Sequence, residues 1–249
     1  MKYLTFIFSI IFFSTCGQNN NSLEKEITNL SMDTLQANHY LLTFTYSAPF
    51  SPTDIYGDLA YRKQLTDTAI NNYFVRANII QSYLSNHLSN YFYITDSTLV
   101  LKLIDGEIVC FNRWDSEKEV GYIFEHYFET IDYYLLIEHY FEESNWLFVN
   151  RKNGFQKSIK GLPYISIDNK RIITINSDLD AGYNFNGIEL YTILPDSIQT
   201  EFSIETIWGP LDVQWISDNQ FLVKREHFSV DSTIIDYKRV LIEKIKKDL

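Results

Sequence analysis

Cysteine is scarce. The 249 residues hold two, Cys16 and Cys110, too few for the disulfide framework of a small secreted domain or for a cysteine-based zinc site. Positive charge is also short, with 21 Lys and Arg against 32 Asp and Glu and a net charge of −11. That balance opposes phosphate backbones and anionic lipid surfaces, so nucleic acid is not an expected partner. Missing too are Gly-x-Ser-x-Gly, His-Glu-x-x-His, a Walker loop and Gly-x-Gly-x-x-Gly. Those absences do not bear on carboxylate-only chemistry such as glycoside hydrolysis, whose two acids come from distant strands and leave no local motif, and they are no evidence for it.

What is present is globular: 45% of residues are hydrophobic and 16% aromatic, with 18 Tyr and 18 Phe, far from disordered composition. The chain opens with Lys2, a mostly apolar run from Tyr3 to Phe13, small polar residues, Cys16 and then Gly17-Gln18-Asn19-Asn20. The apolar run is too short to span a bilayer and no stop-transfer pattern follows it, so it reads as an export signal. This arrangement resembles the lipoprotein signal of Gram-negative, Bacteroidetes-like bacteria. The resemblance implies that Cys16 is lipidated and becomes the first mature residue, with Phe13 and Thr15 standing where that signal usually carries an aliphatic and a small residue. An ordinary cleaved secretory signal with an incidental cysteine is the alternative. Two acyl chains on Cys16 would anchor the protein durably, since one chain binds only marginally. The expected location is the outer membrane, facing the periplasm, with the membrane as a partner through the lipid anchor and a protein as a possible second partner.

The expected organisation is a signal at 1–15, a tether at 16–38, a strand plus helix at 39–90 and an antiparallel β domain at 91–249. Tyr40, Leu42, Phe44 and Tyr46 alternate on one face of a strand. Leu65, Ala69, Tyr73, Ala77, Ile80, Leu84 and Leu88 recur at three- and four-residue steps, which predicts one long amphipathic helix over about 65–88. From Tyr91 onward strand-like runs are separated by Asp105-Gly106, Asn153-Gly154, Asp168-Asn169, Asn186-Gly187 and Asp218-Asn219, turn signals of the hairpin type. Cys110 lies in one such run and is expected in the core. Residues 165–173 repeat weakly at 215–223 as strand, Asp-containing turn, strand, with a related pattern at 93–101. This pattern resembles the blades of TolB-like and WD40-like β-propellers. The fold class is therefore mainly β and antiparallel, propeller-like, an incomplete propeller or a sandwich, because residues 91–249 hold only about three to four blades of 40–50 residues.

Two segments carry candidate chemistry. Glu-His pairs occur at Glu125-His126, Glu138-His139 and Glu226-His227, but neighbours in a strand point to opposite faces. That places His126 with Tyr122, Phe124 and Phe128, His139 with Leu135 and Ile137, and the glutamates on the far side. In the second segment, Asp178 to Glu189, Asp178, Asp180, Asn184 and Asn186 offer the alternating oxygens that Ca2+ takes. The EF-hand spacing fails, and a hairpin loop closing on Asn186-Gly187 explains the same residues. The expected function is a non-catalytic, lipid-anchored binding or interaction protein. The alternatives are a periplasmic hydrolase with dispersed carboxylates and a toxin-neutralising immunity lipoprotein. Metabolic labelling with a fatty-acid analogue should mark the wild type and not Cys16→Ala, and label that survives the substitution would refute lipidation.

Overall fold

In the computed structural model residues 34–56, 73–140, 143–228 and 232–245 are described. The signal with Cys16, and most of the tether, lie outside the described residues. Hairpin connections lay down four antiparallel sheets in chain order. The first contains β3 (Phe92–Ile94), β4 (Thr98–Lys102) and β5 (Ile108–Asn112). The second contains β6 (Gly121–Phe128), β7 (Tyr133–His139), β8 (Ser144–Asn150) and β9 (Gln156–Ile159). The third contains β10 (Leu162–Ile165), β11 (Arg171–Asn176), β12 (Gly187–Ile193) and β13 (Ile198–Glu205). The fourth mixes the two ends of the chain. There β1 (Thr34–Ala37) pairs with β2 (Tyr40–Tyr46), β2 with β16 (Thr233–Lys244), β16 with β15 (Gln220–Phe228), and β15 with β14 (Gly209–Ser217).

Burial explains how the sheets stack. In β7 the run Tyr133-Tyr134-Leu135-Leu136 is buried throughout, and in β11 so is Ile172-Ile173-Thr174-Ile175. Because successive side chains point to opposite faces, both faces of these strands are covered. Tyr134 and Leu136 pack with Phe92, Leu99 and Leu101 of the first sheet, whereas Tyr133 and Leu135 pack with Ile172 and Tyr191 of the third. Ile173, Leu190 and Phe202 then meet Phe44, Val213, Phe221 and Val240 of the fourth. The order is thus first, second, third, fourth, with the two inner sheets covered on both sides. β2 shows the outer-sheet pattern, with Tyr40, Leu42 and Phe44 buried and Tyr46 exposed. Among the described residues no closed barrel or propeller is found, and no core cluster joins the first sheet to the fourth.

The helix differs from expectation. α1 spans Tyr73–His87, 15 residues, so the long helix over 65–88 is not supported; residues 65–72 lie outside the described residues. The described part of the stripe does face the core, with Leu84 buried and Ile80 and Leu88 packed around it. α1 also completes the second sheet. β6 is an edge strand, and the Gln81 amide donates to the Phe124 carbonyl while its oxygen accepts the Phe124 N–H at 3.3 Å. That pairing satisfies backbone groups which would otherwise be buried without partners.

Cys110 also departs from the expected core position: it is exposed on β5, an edge strand in which Phe111 is the buried residue. Leu84→Asp places an unpaired charge against Phe92 and Phe124 and should destabilise by about 3 kcal/mol or more. Chemical denaturation measures it, and a change below about 1 kcal/mol would show that the stripe faces solvent.

Candidate functional site

The three Glu-His pairs do not form dyads. A β-bulge at Glu125 shifts the register, so Phe124 opposes Leu136 while His126 opposes Leu135. The bulge reverses the facing of everything beyond it. His126 consequently lies with Phe128 (ring centroids 4.7 Å) and Tyr56 (5.2 Å), on the face opposite Phe124 rather than beside it. Glu138 and His139 are split as alternation requires: Glu138 is 7% exposed and accepts the Ser158 hydroxyl at 2.6 Å, and His139 Nδ1 lies 3.0 Å from Ser144 Oγ. In the third group Arg225 grips Asp236 through Nε (2.8 Å) and Nη2 (2.5 Å) beneath Trp208 and Phe44. Burial works to raise the Asp236 pKa, but the Arg225 guanidinium outweighs it and holds the carboxyl below its ordinary 3.8. Glu226 accepts the Ser177 hydroxyl at 2.6 Å, fastening the fourth sheet to the base of the Asp178–Glu189 segment.

That segment is organised by Asp178. Its Oδ1 accepts the N–H groups of Ala181 (3.3 Å) and Gly182 (3.2 Å), and its Oδ2 accepts the backbone N–H (2.5 Å) and side-chain amide (3.2 Å) of Asn184. These donors, the Asn184 N–H foremost, hold the Asp178 pKa below 3.8. Asn186 Oδ1 accepts the Asp178 N–H, and its amide donates to the carbonyls of Thr206 (2.6 Å) and Trp208 (3.2 Å). Of the four residues considered for Ca2+, Asp178 and Asn186 thus direct oxygens at the loop's own backbone, Asn184 donates to Asp178, and Asp180 is exposed. Among the described residues no three His, Cys, Asp or Glu side chains gather as a metal would require. The expected tight turn at Asn186-Gly187 is absent. Gly187 begins β12 opposite Glu205, and what demands glycine is closeness, since a Cβ would lie 2.1 Å from the Ile204 carbonyl oxygen.

One of the segments singled out in the sequence, Asp178–Glu189, borders a cleft of about 550 Å³ on the rim between the second and third sheets. One wall comes from Glu143, Asn145, Ser158 and Lys160, around β8 and β9; the other comes from Tyr183, Asn184 and Phe185 of the loop, with Glu205 at the end of β13. The Lys160 ammonium stands 5.0 Å over the Phe185 ring, while Tyr183 is 70% exposed. Two buried carboxylates lie behind the wall. Glu138 is tied to Ser158, and Glu189, 3% exposed, accepts the Lys160 N–H (3.1 Å) and the hydroxyls of Tyr191 (2.6 Å) and Thr174 (3.4 Å).

Sequence reasoning missed Glu143, Ser158, Lys160 and Glu205, which come from separate segments and share no local pattern. Glu189 was detectable, because a carboxylate set between Ile188 and Leu190 in a strand buried on both faces demands partners. A second cavity, of about 320 Å³, lies beside Thr53, Tyr164 and Trp215. Part of its wall is the chain's own strap. Thr53 donates its N–H to Asp212 (3.0 Å) and its hydroxyl to the Val213 carbonyl (2.7 Å), and burial pushes the Asp212 pKa above 3.8.

Because the folded Asp178 pKa is depressed, its contribution to stability is present above the unfolded value and is lost as pH falls through the folded one. Wild type should therefore melt above Asp178→Ala at pH 7, with the gap closing as pH drops below 3.8. Thermal melts across pH 2–7 test this, and a gap independent of pH would show that the carboxylate charge contributes nothing. No protein-family model, no curated protein and no solved structure matches the chain.

Proposed function

We propose that the chain is a lipid-anchored, non-catalytic binding protein of the cell envelope, held to the outer membrane through Cys16, with its β domain on the periplasmic side. The ligand is a small polar molecule taken in the cleft between the second and third sheets. One observation carries this reading: Tyr183, a large exposed aromatic side chain, stands on backbone whose neighbours on both sides are fixed by one carboxylate, Asp178. An aromatic ring exposed on ordered backbone at the lip of a cavity of ordinary ligand-site size, about 300–1,000 Å³, is suited to binding. No helix among the described residues is long and apolar enough to cross a membrane. The stacking of four meandering sheets, the last completed by the N-terminal strands, supports an open, propeller-like fan as the scaffold.

A second reading has its own support. Glu138 and Glu189 are buried behind the cleft wall, and paired carboxylates are the equipment of a glycoside hydrolase. Both are occupied by protein donors, however, and neither lines the cleft.

A thermal-shift screen of neutral saccharides, amino acids, polyamines, nucleosides and dicarboxylates separates these readings. At a hundredfold excess over Kd, a ligand that binds only the folded state should raise Tm by roughly 5–10 °C. The rise should vanish in Tyr183→Ala, whose own Tm should stay within about 2 °C of wild type because the ring is exposed. Absence of any Tyr183-dependent rise would refute the cleft as the binding site. Turnover of the ligand, lost in Glu138→Gln or Glu189→Gln, would replace the binding reading with the hydrolase.

A further inference from the structure

Resting on the cleft being the binding site, we infer that its ligand is a neutral, hydroxyl-rich one: a short stretch of oligosaccharide whose apolar face stacks on Tyr183. The walls mix both signs of charge with neutral hydrogen-bonding groups, which weighs on each ligand class differently. An anion would face Glu143 and Glu205 across the opening, with Glu138 and Glu189 behind them and Lys160 as the opposing charge. A cationic ligand would be drawn by Glu143 and Glu205, but the Phe185 ring face it would seek is already covered by the Lys160 ammonium, which makes a polycation the principal competitor in the test. An apolar ligand would strip water from Glu143, Asn145 and Glu205 without replacing their hydrogen bonds.

Hydroxyl groups meet every condition, because each one donates and accepts. Donors to the ligand are the Lys160 ammonium and the Asn145 amide, and acceptors are the carboxylates of Glu143 and Glu205. The ring face needed for the C–H side of a sugar is supplied by Tyr183. The backbone that carries it is ordered: Gly182, at φ +67°, and Asn184 both donate backbone N–H groups to Asp178. With the backbone ordered in advance, only the two side-chain torsions of Tyr183 remain to be fixed when the ring is covered, which lowers the cost of binding. The cleft also opens on the rim of the molecule, so the interior of a glycan chain can lie along it, and its about 550 Å³ exceeds what a single sugar ring fills.

The test applies tri- to hexasaccharides of α-glucan, β-glucan, mannan, xylan and chitin type to the purified full chain, beside tri-lysine and inositol hexakisphosphate. Binding is read by calorimetry. At least one neutral oligosaccharide should bind, with Kd raised tenfold or more in Tyr183→Ala, within twofold of wild type in Tyr183→Phe, and raised severalfold in Glu205→Gln. Circular dichroism melts confirm that each variant remains folded. If tri-lysine or the polyphosphate binds in a Tyr183-dependent manner and no neutral oligosaccharide does, the saccharide assignment is overturned while the cleft remains the site. If nothing in this panel or in the wider thermal-shift screen depends on Tyr183, both fall.

Discussion

Two-sided burial of the inner sheets is the constraint from which the remainder follows. A strand covered on one face alternates apolar and polar residues; one covered on both must be apolar throughout or must satisfy every polar atom internally. β7 and β11 take the first course over Tyr133-Tyr134-Leu135-Leu136 and Ile172-Ile173, and the second at Glu138 and Thr174, which bond Ser158 and Glu189. β12 takes the second, because Glu189 is buried in it and survives there by accepting from a backbone N–H and two hydroxyls. The buried carboxylate therefore fixes the end of β9, through the Lys160 N–H, and with it one wall of the cleft.

The fourth sheet is tied down by a different device. Arg225 lies buried between Asp236 and the rings of Trp208 and Phe44, so its charge is met by a bidentate partner and by two aromatic faces. Trp208 also accepts from Asn186 through its carbonyl, and Glu226, next to Arg225, takes the Ser177 hydroxyl. The loop that carries Tyr183 is thus braced at its base by two sheets, while its tip is free to face solvent.

How much of this the sequence carried depends on how local the cause is. The turns at Asp105-Gly106, Asn153-Gly154 and Asp168-Asn169 are where turn chemistry placed them, with Gly106, Gly154 and Asn169 at positive φ. β2 has the bounds its alternation implied, and the weak repeat marks the β10–β11 and β14–β15 hairpins of adjoining sheets. What escaped is non-local. A bulge of one residue at Glu125 turned His126 to the other face, and nothing in Glu125-His126-Tyr127-Phe128 announces it. Gly187 answers to a carbonyl on another strand rather than to its own dihedral angles. The polar Asp178 loop was visible as a candidate, but the inward aim of its carboxylate and the wall opposite it depend on how the second and third sheets meet.

The pairing of β16 between β2 and β15 has a consequence for how the chain reaches this state. Phe44 opposes Val240, so the middle strand of the fourth sheet is made last, nearly the whole length of the chain after its neighbour. During synthesis the hairpins of the second and third sheets have their partners within a few residues, whereas β1 and β2 wait with an exposed edge and an uncovered apolar face. Such high contact order slows the final step and leaves an intermediate prone to aggregation. Premature termination anywhere before Thr233 would remove the strand that joins the first-made part of this sheet to the last.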